Sequence, residues 1–168
     1  MKVRYLLVSC LVIALLCMVG GSAFAGWTVV NLNPAGITSS GLRGVSGGQQ
    51  VGYAGIGGTH AGLWSGTAGS WVDLHPAGAE ASSALGVSDG RQAGWASIGG
   101  SDHAGLWSGT AESWVDLHPA GSTYSYAFGV SGGRQVGWAG IGGSDHAGLW
   151  SGTAESWVDL HALLPALA

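Results

Sequence analysis

Beyond residue 25 the chain has no cysteine and no lysine, and it carries little charge of either sign. Each shortage excludes something. Without cysteine no disulfide can staple the chain, so its stability must come from packing. The only positive side chains left are Arg43, Arg91 and Arg134, against nine acidic residues, which leaves a net charge of −6 with histidines neutral. That balance lacks the basic footprint that nucleic acid or an anionic membrane surface requires. No stretch shows a sustained helical period, and the many glycines oppose one. Disorder is excluded from the other side, because it needs low hydrophobicity and high charge. Here charge is sparse and all nine tryptophans lie beyond residue 25.

The one long apolar run is at the start. Lys2 and Arg4 precede an apolar segment from Tyr5 to Val19, then come small residues and Ala23-Phe24-Ala25. This is the pattern of a secretory signal peptide over 1–25, cleaved after Ala25. The run is short for a bilayer span of roughly 20 residues. Both cysteines, Cys10 and Cys17, fall in the removed segment. The processed chain is therefore expected to be secreted or held at the cell surface, with no membrane segment of its own.

What remains is a repeat. HAGLWSGTAESWVDLH runs from His103 to His118, recurs whole from His146 to His161, and recurs from His60 to His75 with Gly69 in place of glutamate. The step between copies is 43 residues, close to one supersecondary unit of a propeller or solenoid. The units are about 35–76, 77–119 and 120–161, with an extra strand at 27–33 and a tail at 162–168. Within the middle unit four short strands are expected, at 83–88, 91–98, 103–108 and 113–118. Turn residues bound them: Asp89-Gly90, Gly99-Gly100-Ser101-Asp102, Gly109-Thr110 and Pro119-Ala120-Gly121.

The last two strands have a readable register. If Trp107 pairs with Trp114, then Gly105 faces Asp116 and His103 faces His118. Ala104 and Leu106 then join Val115 and Leu117 on an aliphatic face opposite an aromatic and polar one, and a slip of one residue would exchange the faces. On the second strand, Gly94 beside Trp95 and Gly137 beside Trp138 predict close approach of a neighbouring sheet, with an indole of one unit over a glycine of the next. Val30-Asn31-Leu32-Asn33-Pro34 matches Val72-Asp73-Leu74-His75-Pro76, so 27–33 reads as a thirteenth strand.

The segments GVSDGRQAGWAS, HAGLWSG and WVDLHPAG, in this order and spacing, resemble the HAF repeat, named for a His-Ala-Phe motif. Here the motif reads His60-Ala61-Gly62, His103-Ala104-Gly105 and His146-Ala147-Gly148, so its phenylalanine is replaced in all three units. The Leu-Trp that follows is kept, as is the aspartate-leucine at Asp73-Leu74, Asp116-Leu117 and Asp159-Leu160. The resemblance implies an exported bacterial repeat protein, often surface-associated, with a propeller-like all-β fold and no established activity. It supplies no catalytic residues.

Two constellations could carry chemistry. His60, Asp73 and His75, with His103, Asp116 and His118 and with His146, Asp159 and His161, form repeated pairs of imidazoles beside a carboxylate, a donor set that could hold zinc or a similar ion. The competing role is structural, each histidine capping a turn or bonding a neighbouring strand, as suits a feature present in every unit. Trp64, Trp71, Trp107, Trp114, Trp150 and Trp157 could form an aromatic stripe that stacks on sugar rings, or could pack between sheets. No nucleophile, phosphate loop or cofactor motif stands out.

The expected fold is all-β, made of tandem four-stranded antiparallel blades in an open or partial propeller, with the β-trefoil as the alternative. The expected function is a non-catalytic structural or interaction module outside the cytoplasm, without cofactor, that binds itself, a surface protein or a polysaccharide. A carbohydrate-binding module using the tryptophan stripe is the second class, and a metal-binding repeat or enzyme fragment a distant third. Three blades are fewer than the usual four to eight, so self-association is also expected.

Overall fold

The computed structural model describes residues 28–163. The expected signal peptide, Trp27 and residues 164–168 lie outside them. The described chain is all-β, with three separate four-stranded antiparallel sheets in tandem. The first holds β1 (Ser40–Ser46), β2 (Gln49–Gly55), β3 (Thr59–Trp64) and β4 (Val72–Asp73). The second holds β5 (Ala81–Ser88), β6 (Arg91–Ile98), β7 (Ser101–Trp107) and β8 (Val115–Asp116). The third holds β9 (Ser125–Ser131), β10 (Arg134–Ile141), β11 (Ser144–Trp150) and β12 (Val158–Asp159). Strands lie in sequence order within each open sheet, as blades do, and no barrel joins strands of different units. No described helix is long and apolar enough to cross a membrane.

Turn chemistry sets the hairpins. Asp89 and Gly90 both have positive φ between β5 and β6, as do Gly99 and Gly100 between β6 and β7. Such pairs match the right-handed twist of the strands they join. Ser101 and Asp102, expected in the turn, instead begin β7. The register of the last two strands holds, with Gly105 opposite Asp116 and Leu106 opposite Val115.

Three details differ from the sequence reading. The fourth strand is short, because Ala111–Ser113 forms a 3-10 turn. Ser113 locks that turn by donating to Thr110 O at 2.6 Å while its oxygen accepts the Ser108 N–H at 2.7 Å. The thirteenth strand does not form. Residues 28–33 are not β-paired, because no strand of the β3 type lies beside them among the described residues. The indole over a glycine belongs to the same unit, not the next. A Cβ on Gly105 would collide with the Trp114 ring. Gly94 and Gly137 are small for another reason: a Cβ on either would strike the first strand's backbone, at Ser83 O and Tyr126 O.

That first strand is bulged in every unit. Pairing shifts between Leu42 and Gly44, between Ala84 and Gly86, and opposite the step from Val136 to Gly137. Arg43, Leu85 and Phe128 are thus each left unpaired, and a bulge re-aims its side chain away from the regular alternation.

The core lies between sheets. Val51, Ala61, Leu63 and Leu74 of the first unit receive Ala84, Val87, Trp107 and Trp114 of the second. Ala93, Ala104, Leu106 and Leu117 of the second receive Ala127, Val130, Trp150 and Trp157 of the third. Burying one large aromatic or aliphatic side chain contributes about 1.5–3 kcal/mol, and each seam repeats it several times. The innermost strands approach most closely: a Cβ on Gly86 would lie 2.6 Å from Phe128 O and 3.0 Å from Gly129 Cα.

Gly86→Ala should therefore force the second and third sheets apart and cost about 1–3 kcal/mol. Gly129→Ala, at the equivalent place with only a Val136 methyl nearby at 3.2 Å, should cost less than about 0.5 kcal/mol. Urea unfolding of the two variants checks the contrast, and equal destabilisation would contradict the packing described.

Candidate functional site

The six histidines come together in pairs, as the register requires. His60 stacks on His75 and His103 on His118, with ring centroids 3.9 Å apart. In the third unit the His146–His161 pair is looser, at 4.4 Å. Each pair shares a carboxylate. His103 Nδ1–H donates to Asp116 Oδ2 at 2.8 Å, and the His118 backbone N–H donates to Asp116 Oδ1 at 2.8 Å. Asp73 and Asp159 do the same for His60 with His75 and for His146 with His161.

In the first two pairs the second histidine reaches across the seam. Ala104 N–H donates to Ser125 Oγ at 2.9 Å, and Ser125 Oγ lies 2.9 Å from His118 Nδ1. His118 Nε2 lies 3.1 Å from Ser122 O. A carbonyl can only accept, so Nε2 carries the proton, Nδ1 accepts from Ser125, and the imidazole is neutral. Ala61, Ser82, His75 and Ala79 repeat the chain at the first seam. Ser82 and Ser125 are fully buried, where an unpaired hydroxyl would be costly.

This arrangement gives the histidines and aspartates the structural role that the sequence left open beside metal binding. In-plane lone pairs on stacked rings run side by side instead of converging on one point. At the two seams both ring nitrogens of His75 and His118, and Nδ1 of His60 and His103, are already engaged by Ser82, Ser125, loop carbonyls, Asp73 and Asp116. Among the described residues no group of three His, Cys, Asp or Glu is arranged to hold a metal ion. His60, Asp73, His75, His103, Asp116 and His118 act as hydrogen-bonded seam latches. His146, Asp159 and His161 form the same latch without a serine partner.

The tryptophan stripe is corrected. Trp64, Trp107 and Trp150 are fully buried, while Trp71, Trp114 and Trp157 are half-buried. Trp107 and Trp114 pack 4.6 Å apart, and Trp150 and Trp157 4.4 Å apart. The Trp107 pair packs on the aliphatic face of the preceding sheet and the Trp150 pair on that of the second. Trp107, Trp114, Trp150 and Trp157 thus serve the packing between sheets. Alternation puts Trp64, Trp107 and Trp150 on the face opposite Leu63, Leu106 and Leu149, and packing against the preceding sheet covers Trp107 and Trp150.

A second group of aromatics, half-buried except for the exposed Phe128, lies on the first and second strands. An open groove of about 590 Å³ is lined by Arg43, Tyr53, Trp95, Tyr126, Phe128 and Trp138, with Thr59, Ser83 and Leu85. It draws on all three sheets. Tyr126 and Trp138 rings pack at 4.8 Å, and Trp95 meets Tyr126 edge-on at 5.9 Å. The Arg43 guanidinium lies over the Tyr53 ring at 5.5 Å. Tyr126 donates its hydroxyl to Asp102. Burial and that hydrogen bond push the Tyr126 pKa up to about 12, so it remains a neutral donor.

The sequence reading missed this groove, although a signal was present. Ile98 to His118 and Ile141 to His161 are identical. The differences between the second and third units gather on the first strand and its approach, where Ala81, Ser83 and Leu85 become Tyr124, Tyr126 and Phe128. Leu85 and Phe128 are the bulged residues, and Ser83, Leu85, Tyr126 and Phe128 all line the groove.

No family model matches the chain, and searches of curated proteins and of solved structures likewise found no match.

Burial, and next the neighbouring His103 charge, push the His118 pKa below its ordinary 6.5, against the raising effect of Ser122 O and Asp116. The unfolded chain then takes up a proton near 6.5 before the folded one does, so stability falls as pH drops through 6.5 towards the depressed folded value. Asp159, held below 3.8 mainly by its bond from His146, adds a further loss only in more acid solution. The melting temperature should fall between pH 7.5 and pH 5.5, and His118→Gln should flatten that fall. His118→Ala should cost about 1–3 kcal/mol by orphaning Ser125, whereas His161→Ala should cost less than about 0.5 kcal/mol. Thermal melts across this pH range check both, and equal costs for the two alanines would remove the latch role.

Proposed function

We propose that the protein is an exported, non-catalytic β-repeat module of the HAF-repeat type that binds a partner in the aromatic groove. One observation carries this reading: units that are otherwise nearly identical differ at the residues lining the groove. A repeat protein keeps its scaffold positions constant because each neighbour must fit, and it can vary only what faces outward. Here the variation introduces Tyr126 and Phe128 into the groove, large rings at partly exposed positions, where an apolar surface gains most from a partner. The low charge of the groove, with Arg43 the one charged residue in its lining, suits a neutral or weakly charged surface polymer or protein over a polyanion.

A carbohydrate ligand is the second reading, favoured by the Trp95 and Trp138 rings rather than by the tryptophans of the seams. Aromatic faces stack on the apolar faces of sugar rings, and Tyr126, Thr59 and Arg43 would supply hydrogen bonds at the rim.

Affinity electrophoresis of residues 26–168 in gels containing soluble and cell-wall polysaccharides separates the two readings. Retardation that Trp138→Ala or Phe128→Ala reduces tenfold or more, with circular dichroism unchanged, selects carbohydrate. Absence of retardation with every polysaccharide leaves a protein partner. Hydrolysis of any of the polymers would overturn the non-catalytic reading.

A further inference from the structure

The two outer faces of the three-sheet stack are halves of one seam. At each internal seam the aliphatic face of one sheet receives the next sheet. Val51 and Ala93 are fully buried there, and so are Leu74 and Leu117. Their equivalents on the third sheet are Val136, 52% exposed, and Leu160, 40% exposed. The receiving side shows the same contrast. Val87 is 8% exposed where the first sheet covers it, while its equivalent Val45 is 72% exposed. Leu42 is exposed beside Val45, and Ala147 beside Val136.

The polar complement of the seam is also split between the ends. His75 and His118 each bond a serine on the next sheet's first strand, at 2.8 and 2.9 Å. His161 has no such serine among the described residues. Ser40, the equivalent of Ser82 and Ser125, stands on the opposite end of the stack. There it donates to Asn33 Oδ1 at 2.7 Å, and Asn33 Nδ2 donates to Ile37 O at 2.6 Å. Asn33 thus does for Ser40 what a histidine does for Ser82 and Ser125. A cleft of about 490 Å³ between residues 30–33 and 38–42 lies where a preceding unit would place its third strand.

We infer that a second copy of this chain docks head to tail, its first sheet covering the aliphatic face of the third sheet and its Ser40 meeting His161. The surfaces fit for the same reason that the internal seams do, because both ends carry the residues that pair inside the stack. Gly129 keeps open the space that Gly44 and Gly86 use for the next sheet's bulged carbonyl, 2.9 and 2.6 Å from a Cβ at those two positions. Residues 30–33 of one copy and 158–161 of the other are like segments, and one of them fills the single slot at the joint. The contact is heterologous, so it closes a ring if the rotation permits and otherwise propagates. Two copies would bring six blades together, within the range of closed propellers.

The inference is independent of the groove's ligand, and its test uses no ligand. Sedimentation of the processed chain, residues 26–168, should show association that grows with concentration. Val45→Asp removes one face and Val136→Asp the other, each at an exposed site that leaves the internal seams intact. Each variant alone should sediment as a monomer with the circular dichroism of the parent. Their equimolar mixture should form one dimer and nothing larger, since each supplies the face the other lacks. Val45→Ser and Val136→Ser provide the same pattern with gentler substitutions, should either aspartate variant misfold. A parent chain that stays monomeric at about 100 µM, variants that associate like the parent, or a mixture that remains monomeric would each overturn head-to-tail docking.

Discussion

The structure depends on one sheet-to-sheet joint used twice. An aliphatic face built from Val51, Ala61, Leu63 and Leu74 receives the indoles of Trp107 and Trp114, and the next face receives Trp150 and Trp157 in the same way. A chain with no cysteine beyond residue 25 has no covalent staple, and a small four-stranded sheet is too thin to bury a core by itself. Stability must therefore come from what passes between units. The glycines follow from this. Gly62, Gly105 and Gly148 make room for the indoles of their own unit, and Gly44 and Gly86 let the innermost strands approach. At the two joints the indole N–H groups of Trp107, Trp150 and Trp157 meet no protein acceptor among the described residues, while each ring removes a large apolar area from water.

The polar latch gives this apolar joint its register. A flat aliphatic face could accept a neighbouring sheet at several offsets. Ser82 and Ser125 permit one offset each, because a backbone N–H of one sheet and a histidine on its last strand must both reach the same hydroxyl. The aspartates hold the histidines ready for that contact. Repetition of the cluster in every unit is explained by repetition of the seam, so the same residues that suggest a metal set in the sequence serve as alignment pins in the fold.

The seams hold small or aliphatic residues at each position, Val51 and Ala93 at one of them, while the bulged first strand varies from arginine to leucine to phenylalanine. Its extra residue leaves the alternation and turns into the groove, so Arg43, Leu85 and Phe128 can differ without disturbing either neighbouring sheet. Scaffold and recognition surface are thereby separated within a single strand. Val87 and Val130 belong to the seam, while Leu85 and Phe128, two residues earlier, belong to the groove.

Much of this was decided by the sequence alone. The 43-residue period, the four strands per unit and the pairing of Gly105 with Asp116 all follow from local turn chemistry and from the two-residue period of a strand, which no distant contact can alter. The meeting of the histidines in pairs follows from the same register. Which way each face turns was left to the tertiary structure. Alternation separates Trp107 from Leu106 but does not say which side meets water. That depended on the neighbouring sheet, which covered Trp107 and Trp150 wholly and Trp114 and Trp157 in part, and left Trp95 and Trp138 at the groove. The bulge was equally hidden, since an unpaired residue between Leu42 and Gly44 exists only relative to a partner strand. The thirteenth strand failed for that reason too: residues 30–33 repeat the letters of a strand, but a strand is a relation between two segments, and the described chain provides no second one.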